Sequence, residues 1–389
     1  MNNTNEMNFI YYKQENKLKQ KAKYTCYPTD NNIYWKNQTD LELERILKEI
    51  KDYKSLNISL KNLTYFQKEE NPKISLIITI YNQGYYIEKL YWSILNQELK
   101  DIEIIFIDDA SSDNSSLIIK QLVKMDKRIV YLKNKINKGQ YYSINKGVLN
   151  SKGEYILSID ADDLLINNIL IKVYETAKEY NLDVLQFYMI LNNYLGKFKY
   201  KSGIVCDNIN IRNIFYYGET RNLPDKLIKR QIYIKSIHFM PKILYNEDYY
   251  IHTDDTIFFG IIHFIDSYGF LEQIGYYYNN EPNRKPKQII KEDKSIKSNR
   301  EIKSLFNIMK YFILKSDNNT IEKNNMPYKF FEKKVKKILK KDLKYISKHF
   351  EFYIDVFNLF LNCPFFNKDK KKVLLKFKRK VLLKKRYYK

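Results

Sequence analysis

The chain has 389 residues, with 68 Lys and Arg against 45 Asp and Glu (a formal charge of +23), 15% aromatics and only 3 Cys. That length accommodates two or three domains of about 150 residues, and a hydrophobic fraction of 44% excludes wholesale disorder. Cys26, Cys206 and Cys363 lie far apart and never in C-x-x-C spacing, which excludes a disulfide scaffold and a cysteine zinc site.

The charge is uneven. Residues 323–389 hold 22 Lys and Arg against 5 Asp and Glu, so most of the excess lies at this end. Such a tail suits a helix packed on the main domain with lysine stems reaching outward, or a basic amphipathic helix on an anionic membrane. Nucleic acid is not the expected partner. The longest apolar runs, Ile74–Ile80 and Ile257–Ile265, fall far short of the ~20 residues a transmembrane helix needs. The first residues carry no apolar signal core. A cytoplasmic protein, at most peripheral to a membrane, is the expectation.

Residues 1–70 read as a polar arm with one amphipathic helix, carried by Leu41, Leu43, Ile46, Leu47 and Ile50. Ile74–Ile80 (ISLIITI) is a continuous β-branched run, the pattern of a strand buried on both faces. Ile87, Leu90, Tyr91, Ile94 and Leu95 then mark an amphipathic helix. A second buried strand, Ile102–Ile107, ends in Asp108-Asp109, and Leu117, Ile118, Leu122 and Met125 form the next helix face. Ile129–Leu132 is a third strand, Asn137-Lys138-Gly139 a turn, 141–149 a short helix and Tyr155–Ile159 a fourth strand ending in Asp160. Strand and helix alternate, which predicts an α/β fold with a mostly parallel sheet flanked by helices. In such sheets ligands bind outside the strands' carboxyl ends, where both acidic clusters fall.

The run Asp160-Ala161-Asp162-Asp163 puts three carboxylates just past a buried strand. Hard oxygen ligands of this kind suit Mg²⁺ or Mn²⁺, which take one or two protein carboxylates together with substrate phosphates. A D-x-D motif alone is weak; its place after a strand, beside a second Asp pair, gives it weight.

With these motifs in order, residues 72–165 resemble the nucleotide-sugar half of family 2 glycosyltransferases, which have the GT-A fold. The resemblance lies in PKISLIITIYNQGYYIEKLYWSILNQELKDIEIIFIDDASSDNSS and NKINKGQYYSINKGVLNSKGEYILSIDADD. It implies a catalytic domain over 72–283, with 72–165 holding the donor and 166–283 the acceptor, followed by a basic helical region at 284–389. It also implies that Tyr81 and Asn82 contact the nucleotide, that Asp109 or Asp108 accepts a hydrogen bond from the base, and that Asp113 belongs to the S-x-D turn. Asp160 falls near the ribose, Asp162 on the divalent ion, and Asp163 beside the sugar or behind the metal. The implied donor is a sugar nucleotide, a UDP-sugar foremost, and the acceptor a glycan, lipid or protein. Thr79, Ala110 and Ile144 depart from the family's usual proline, glycine and arginine; Lys138 or Lys146 is expected to replace the arginine's charge near the diphosphate.

Two acidic pairs compete in the second half, Glu247-Asp248 and Asp254-Asp255. The segment HTDDTIFFGIIHFIDSYGFLEQIGYYYN resembles the family's acidic-pair helix, strand and aromatic ending, which favours Asp255 as general base with Asp254 beside it. Chemically, a carboxylate within reach removes the proton of an acceptor hydroxyl as it attacks. Lys226–Arg230 reads either as a solvated helix or as cations facing the diphosphate. Tyr276–Tyr278 and Trp92 read as packing groups. Two other readings stay open: a nucleotidyltransferase on a similar scaffold, and a non-catalytic domain binding membrane or nucleic acid.

Overall fold

The computed structural model describes residues 70–191, 222–240 and 253–279, with shorter stretches at 8–13, 20–25, 44–51, 66–67, 194–195 and 203–205 and four positions within 372–379. Glu247-Asp248, the side chain of Asp255 and nearly all of the basic tail lie outside the described residues. The chain divides into two compact units, 1–240 with 253–287, and 241–252 with 288–389. The sheet and the helices packed against it lie in the first.

A hairpin, β1 (Asn8–Lys13) and β2 (Gln20–Thr25), precedes helix α1 at 44–51. The alternating part then runs β3 (Ile74–Ile80), α2 (Gly84–Leu95), β4 (Ile102–Asp108), α3 (Ser115–Met125), β5 (Ile129–Lys133), α4 (Gln140–Leu149) and β6 (Tyr155–Asp160). The rest comprises β7 (Leu164–Leu165), α5 (Ile169–Glu179), β8 (Val184–Leu191), β9 (Tyr194–Leu195), β10 (Gly203–Val205), β11 (Lys226–Lys229), α6 (Arg230–Phe239), α7 (Thr253–Ile261) and β12 (Tyr268–Tyr278).

The main sheet has the order β10-β12-β8-β11-β6-β3-β4-β5. β3 pairs parallel with β4 and β6, and β4 with β5, as the four apolar runs predict. The second half is mixed: β8 and β12 are parallel, but β11 runs antiparallel to both β6 and β8. The sheet is therefore mixed rather than mostly parallel, with helices packed against it. The segment KLIK, expected as a solvated helix or a diphosphate contact, is thus an interior strand; its lysines disguised it. Successive strands β3, β4 and β5 move one way from β3, and β6 lies on its other side. This reversal makes the carboxyl ends of β3 and β6 the topological switch point, where open α/β sheets take their ligands.

In β3, β4 and β6 burial follows the apolar pattern. On α3, Leu117 is 60% exposed and Ile119 takes its place on the inner face beside Ile118 and Leu122. Gly147 lets α4 lie close to the sheet: a Cβ there would sit 2.8 Å from both Ile77 Cγ2 and Ile107 Cδ1.

Helix α1 packs behind the acidic turn. Ile46 and Ile50 are buried with Leu164, Ile166, Ile190, Ile274 and Tyr277, and Glu49 Oε1 accepts from the Asn167 amide at 3.2 Å. Emptying this contact by Ile46→Ala is expected to cost about 2–5 kcal/mol, read as a lowered urea midpoint with an unchanged slope.

Candidate active site

The β3–β6 switch point gathers the ends of three strands, β3, β4 and β6. After β3, Tyr81 stands 43% exposed, and Asn82 adopts a left-handed backbone, φ 53°. The Asn82 side-chain carbonyl accepts from the Ser112 and Asp113 amides at 2.8 and 3.3 Å, and its backbone amide donates to Ser111 Oγ at 3.0 Å. Asn82 therefore ties the loop after β4 to the end of β3.

Three aspartates on that loop divide the work of holding it. Asp108 is heavily engaged: Oδ1 accepts from the Ser111 amide at 2.7 Å, and Oδ2 from Ser116 Oγ at 2.5 Å and Tyr131 Oη at 2.9 Å, with Lys133 Nζ 3.3 Å away. Burial would raise its pKa, but the hydrogen bonds from Ser116, Ser111 and Tyr131 outweigh burial and hold the carboxyl below its ordinary value. Asp113 joins two helix starts, accepting from the Gly84 amide at 3.0 Å and the Ser115 amide at 3.0 Å. It too is depressed: burial opposes, and the bonds from Ser115 and Gly84 prevail.

Asp109 reaches the other way. Its Oδ1 accepts from Asn134 Nδ2 at 2.7 Å and the Lys138 amide at 2.8 Å, and its Oδ2 from the Gly139 amide at 2.8 Å. Gly139, with φ +81°, turns the chain into α4, whose first residue, Gln140, donates to Asp160 Oδ1 at 2.8 Å. The expected arginine position, Ile144, is buried in α4, and Lys146 bonds Asn134 Oδ1 at 2.8 Å beside the β5 end.

Asp160, Asp162 and Asp163 can each bring a carboxylate oxygen within 4.8 Å of the others. This all-oxygen donor set fits a hard divalent cation. Asp160 is half-buried, and Asp162 and Asp163 are buried. Asp163 is anchored on both sides, Oδ2 accepting from Tyr276 Oη at 2.7 Å and Oδ1 from the Asn279 amide at 2.9 Å. Tyr276 Oη also accepts from the Asp160 amide at 3.1 Å. Burial first, then the charges of Asp163 and Asp160, raise the Tyr276 hydroxyl well above its ordinary value, so it keeps its proton. Tyr276, expected only to pack, is the residue that sequence reasoning missed; an aromatic run gives no sign of a hydroxyl partner over a hundred residues away. Behind the turn, Ser93 Oγ accepts from the Leu165 amide at 3.2 Å and Gln97 Nε2 donates to the Ile166 carbonyl at 2.9 Å.

Asp254 and Asp255 lie in the first turn of α7. Near them Lys226, which the sequence offered as a diphosphate contact, is wholly buried. Its Nζ contacts Asp225 Oδ1 at 2.5 Å and the Asn222 carbonyl at 2.6 Å, and lies 5.0 Å from the Phe258 ring centroid on α7. Gln186 Nε2 donates to Asp225 Oδ2 at 2.8 Å. Burial pushes the Asp225 carboxyl up and the Lys226 ammonium down, and each partner opposes the other's shift. Among the described residues, no helix is long and apolar enough to cross a membrane.

Residues 75–242 match the family described as glycosyl transferase family 2. The chain is 36% identical over 112 residues to glycosyltransferase GlyG of Streptococcus pneumoniae, covering 29% of this chain and 37% of GlyG. It is 38% identical over 109 residues to the GalNAc(5)-diNAcBac-PP-undecaprenol beta-1,3-glucosyltransferase of Campylobacter jejuni, covering 28% and 35%. The chain thus spans about a third of the length of these curated relatives. In fold it is similar to S. aureus TarS 1–349, solved with UDP, at a TM-score of 0.59 and 17% identity over 81% of this chain and 89% of that one.

Two outcomes are expected for stability. The depressed Asp108 and Asp113 carboxyls stabilise the fold above the ordinary aspartate value of 3.8, and that contribution is lost as pH falls through their folded values. Urea midpoints should therefore drop below that pH, and less steeply in Asp108→Asn. Lys226→Met strands a buried carboxylate and should cost about 3–5 kcal/mol, with part recovered in Asp225→Asn/Lys226→Met, both read by chemical unfolding.

Proposed function

We propose that this chain, which carries a glycosyltransferase 2-like domain, transfers a sugar from a nucleoside diphosphate to an acceptor hydroxyl with inversion at the anomeric carbon. The observation that carries this reading is the triple carboxylate turn at the β3–β6 switch point, in a segment matching that family. The donor we infer is a UDP-sugar; the TarS structures, of similar fold, were solved with UDP and with UDP-GlcNAc.

Asp162, with Asp160, would hold Mn²⁺ or Mg²⁺, which when bound supplies a Lewis acid for the charge on the departing diphosphate. Exposed Tyr81 is the wall for the base. Asp108 is engaged by Ser111 on Oδ1 and by Ser116, Tyr131 and Lys133 on Oδ2. Asp109 and Asp108 each keep one oxygen with a single donor, and one of them, Asp109 or its neighbour Asp108, is the acceptor we infer for a base N–H. Asn82 and Asp113 act by holding the loop that frames this pocket.

Asp255, with Asp254 beside it, takes the acceptor's proton as the acceptor oxygen bonds to C1. The bond from C1 to the diphosphate oxygen breaks, and its electron pair leaves with the nucleoside diphosphate. Attack opposite the leaving group inverts the centre. The acceptor is a glycan, lipid or protein hydroxyl, and a basic tail at 323–389 suits an acceptor at an anionic membrane surface.

The full chain incubated with UDP-sugars and Mn²⁺ is expected to release UDP. Asp255→Asn should lower acceptor-dependent turnover about 10²–10⁴-fold, and Asp162→Ala should abolish the metal-dependent turnover. Unchanged turnover in both variants would sink the residue roles, and release of pyrophosphate instead of a nucleoside diphosphate would favour nucleotidyl transfer.

A further inference from the structure

The acidic turn contains three carboxylates whose environments differ. Asp163 has a donor on each oxygen, Tyr276 Oη at 2.7 Å and the Asn279 amide at 2.9 Å, both from the end of β12. Those partners lie 113 and 116 residues further along the chain. Tyr276 is wholly buried and its oxygen serves twice, donating to Asp163 and accepting from the Asp160 amide at 3.1 Å. The same stretch of β12 pairs with β7: Tyr276 lies opposite Leu165 and Tyr277 opposite Leu164. The Gly275 carbonyl accepts from the Ile166 amide at 3.0 Å. The turn is thus gripped on both sides of its carboxylates by one strand end. Asp160, by contrast, is half-buried and accepts a side-chain amide from the exposed Gln140.

We infer that Tyr276 is a positioning residue and Asp163 its anchor, so that Asp163 fixes the turn while Asp160 and Asp162 are left to meet the cation. This rests on the metal-dependent reading of the site and assigns it an unequal division of labour. Ligand carboxylates are commonly oriented by hydrogen bonds from residues behind them, and losing such a partner costs about 10–100-fold in metal affinity. Here the partner belongs to the strand that comes after α7, the helix of Asp254 and Asp255, so the end of the second half of the fold sets the metal turn of the first.

The test titrates Mn²⁺ into the full chain in the presence of UDP, reading free Mn²⁺ by paramagnetic resonance, with near-ultraviolet dichroism as the check of folding. Tyr276→Phe should stay folded and bind Mn²⁺ about 10–100-fold more weakly. Asp163→Asn, which keeps one acceptor oxygen, should behave alike, and the double variant should be no weaker than the weaker single. Asp162→Asn should lose binding. A role confined to stability would lower the melting temperature of Tyr276→Phe and leave its Mn²⁺ affinity at the wild-type value; that result overturns the inference. If Tyr276→Phe does not fold, the aspartates decide: equal losses in Asp162→Asn and Asp163→Asn make Asp163 a ligand and overturn it. If the unaltered chain binds no Mn²⁺ with UDP, the metal-dependent reading falls and takes this inference with it.

Discussion

A carboxylate below the protein surface is tolerable only where donors replace the water it has lost. At Asp163 both replacements come from one strand end, Tyr276 and Asn279. Much else in the fold serves that knot. β7 pairs with the same strand, Ser93 and Gln97 clasp the chain just beyond the acids, and α1 closes over Leu164 and Ile166. A turn that would be a floppy acidic loop in isolation is held from three directions. This is the condition for a metal or substrate site to keep its geometry without the ligand.

The acids at and after the end of β4 illustrate a second point. Aspartates at the carboxyl ends of parallel strands meet ligands, but they also meet backbone amides of the loops beyond them. Asp108 and Asp113 are spent on such amides and hydroxyls, and their depressed carboxyls record it. Asp109 links the β5–α4 loop to the site, and through Gln140 that loop touches Asp160. Strand ends β4 and β6, which are not adjacent in the sheet, are therefore bridged by hydrogen bonds through the start of α4.

Legibility in the sequence tracks physical simplicity. Strands buried on both faces write themselves as continuous apolar runs, and β3, β4 and β6 are readable on that ground. A helix face is coarser: in α3 the 3.6-residue period allows Leu117 or Ile119 inward, and packing chooses Ile119. β11 escapes because KLIK carries charge at both ends; Lys226 is buried only because its neighbour Asp225 pairs with it, a contact that one-dimensional hydropathy cannot register. The acidic positions are legible as a group, since strand ends in an α/β pattern point to a ligand. Their separate duties are not, because they depend on partners brought from distant segments. Tyr276 is the clearest case, reading as core until its hydroxyl meets Asp163.

The central claim is that the switch-point turn presents Asp160 and Asp162 to a cation while Asp163 holds the turn. The most direct measurement is a crystal of the full chain grown with Mn²⁺ and UDP, with anomalous differences recorded at the manganese edge. The account predicts a single strong peak bonded to Asp162 or to Asp160 and Asp162 together, with Asp163 still hydrogen-bonded to Tyr276 and Asn279. A peak bonded through Asp163, or UDP bound at the switch point with no manganese beside this turn, would contradict it.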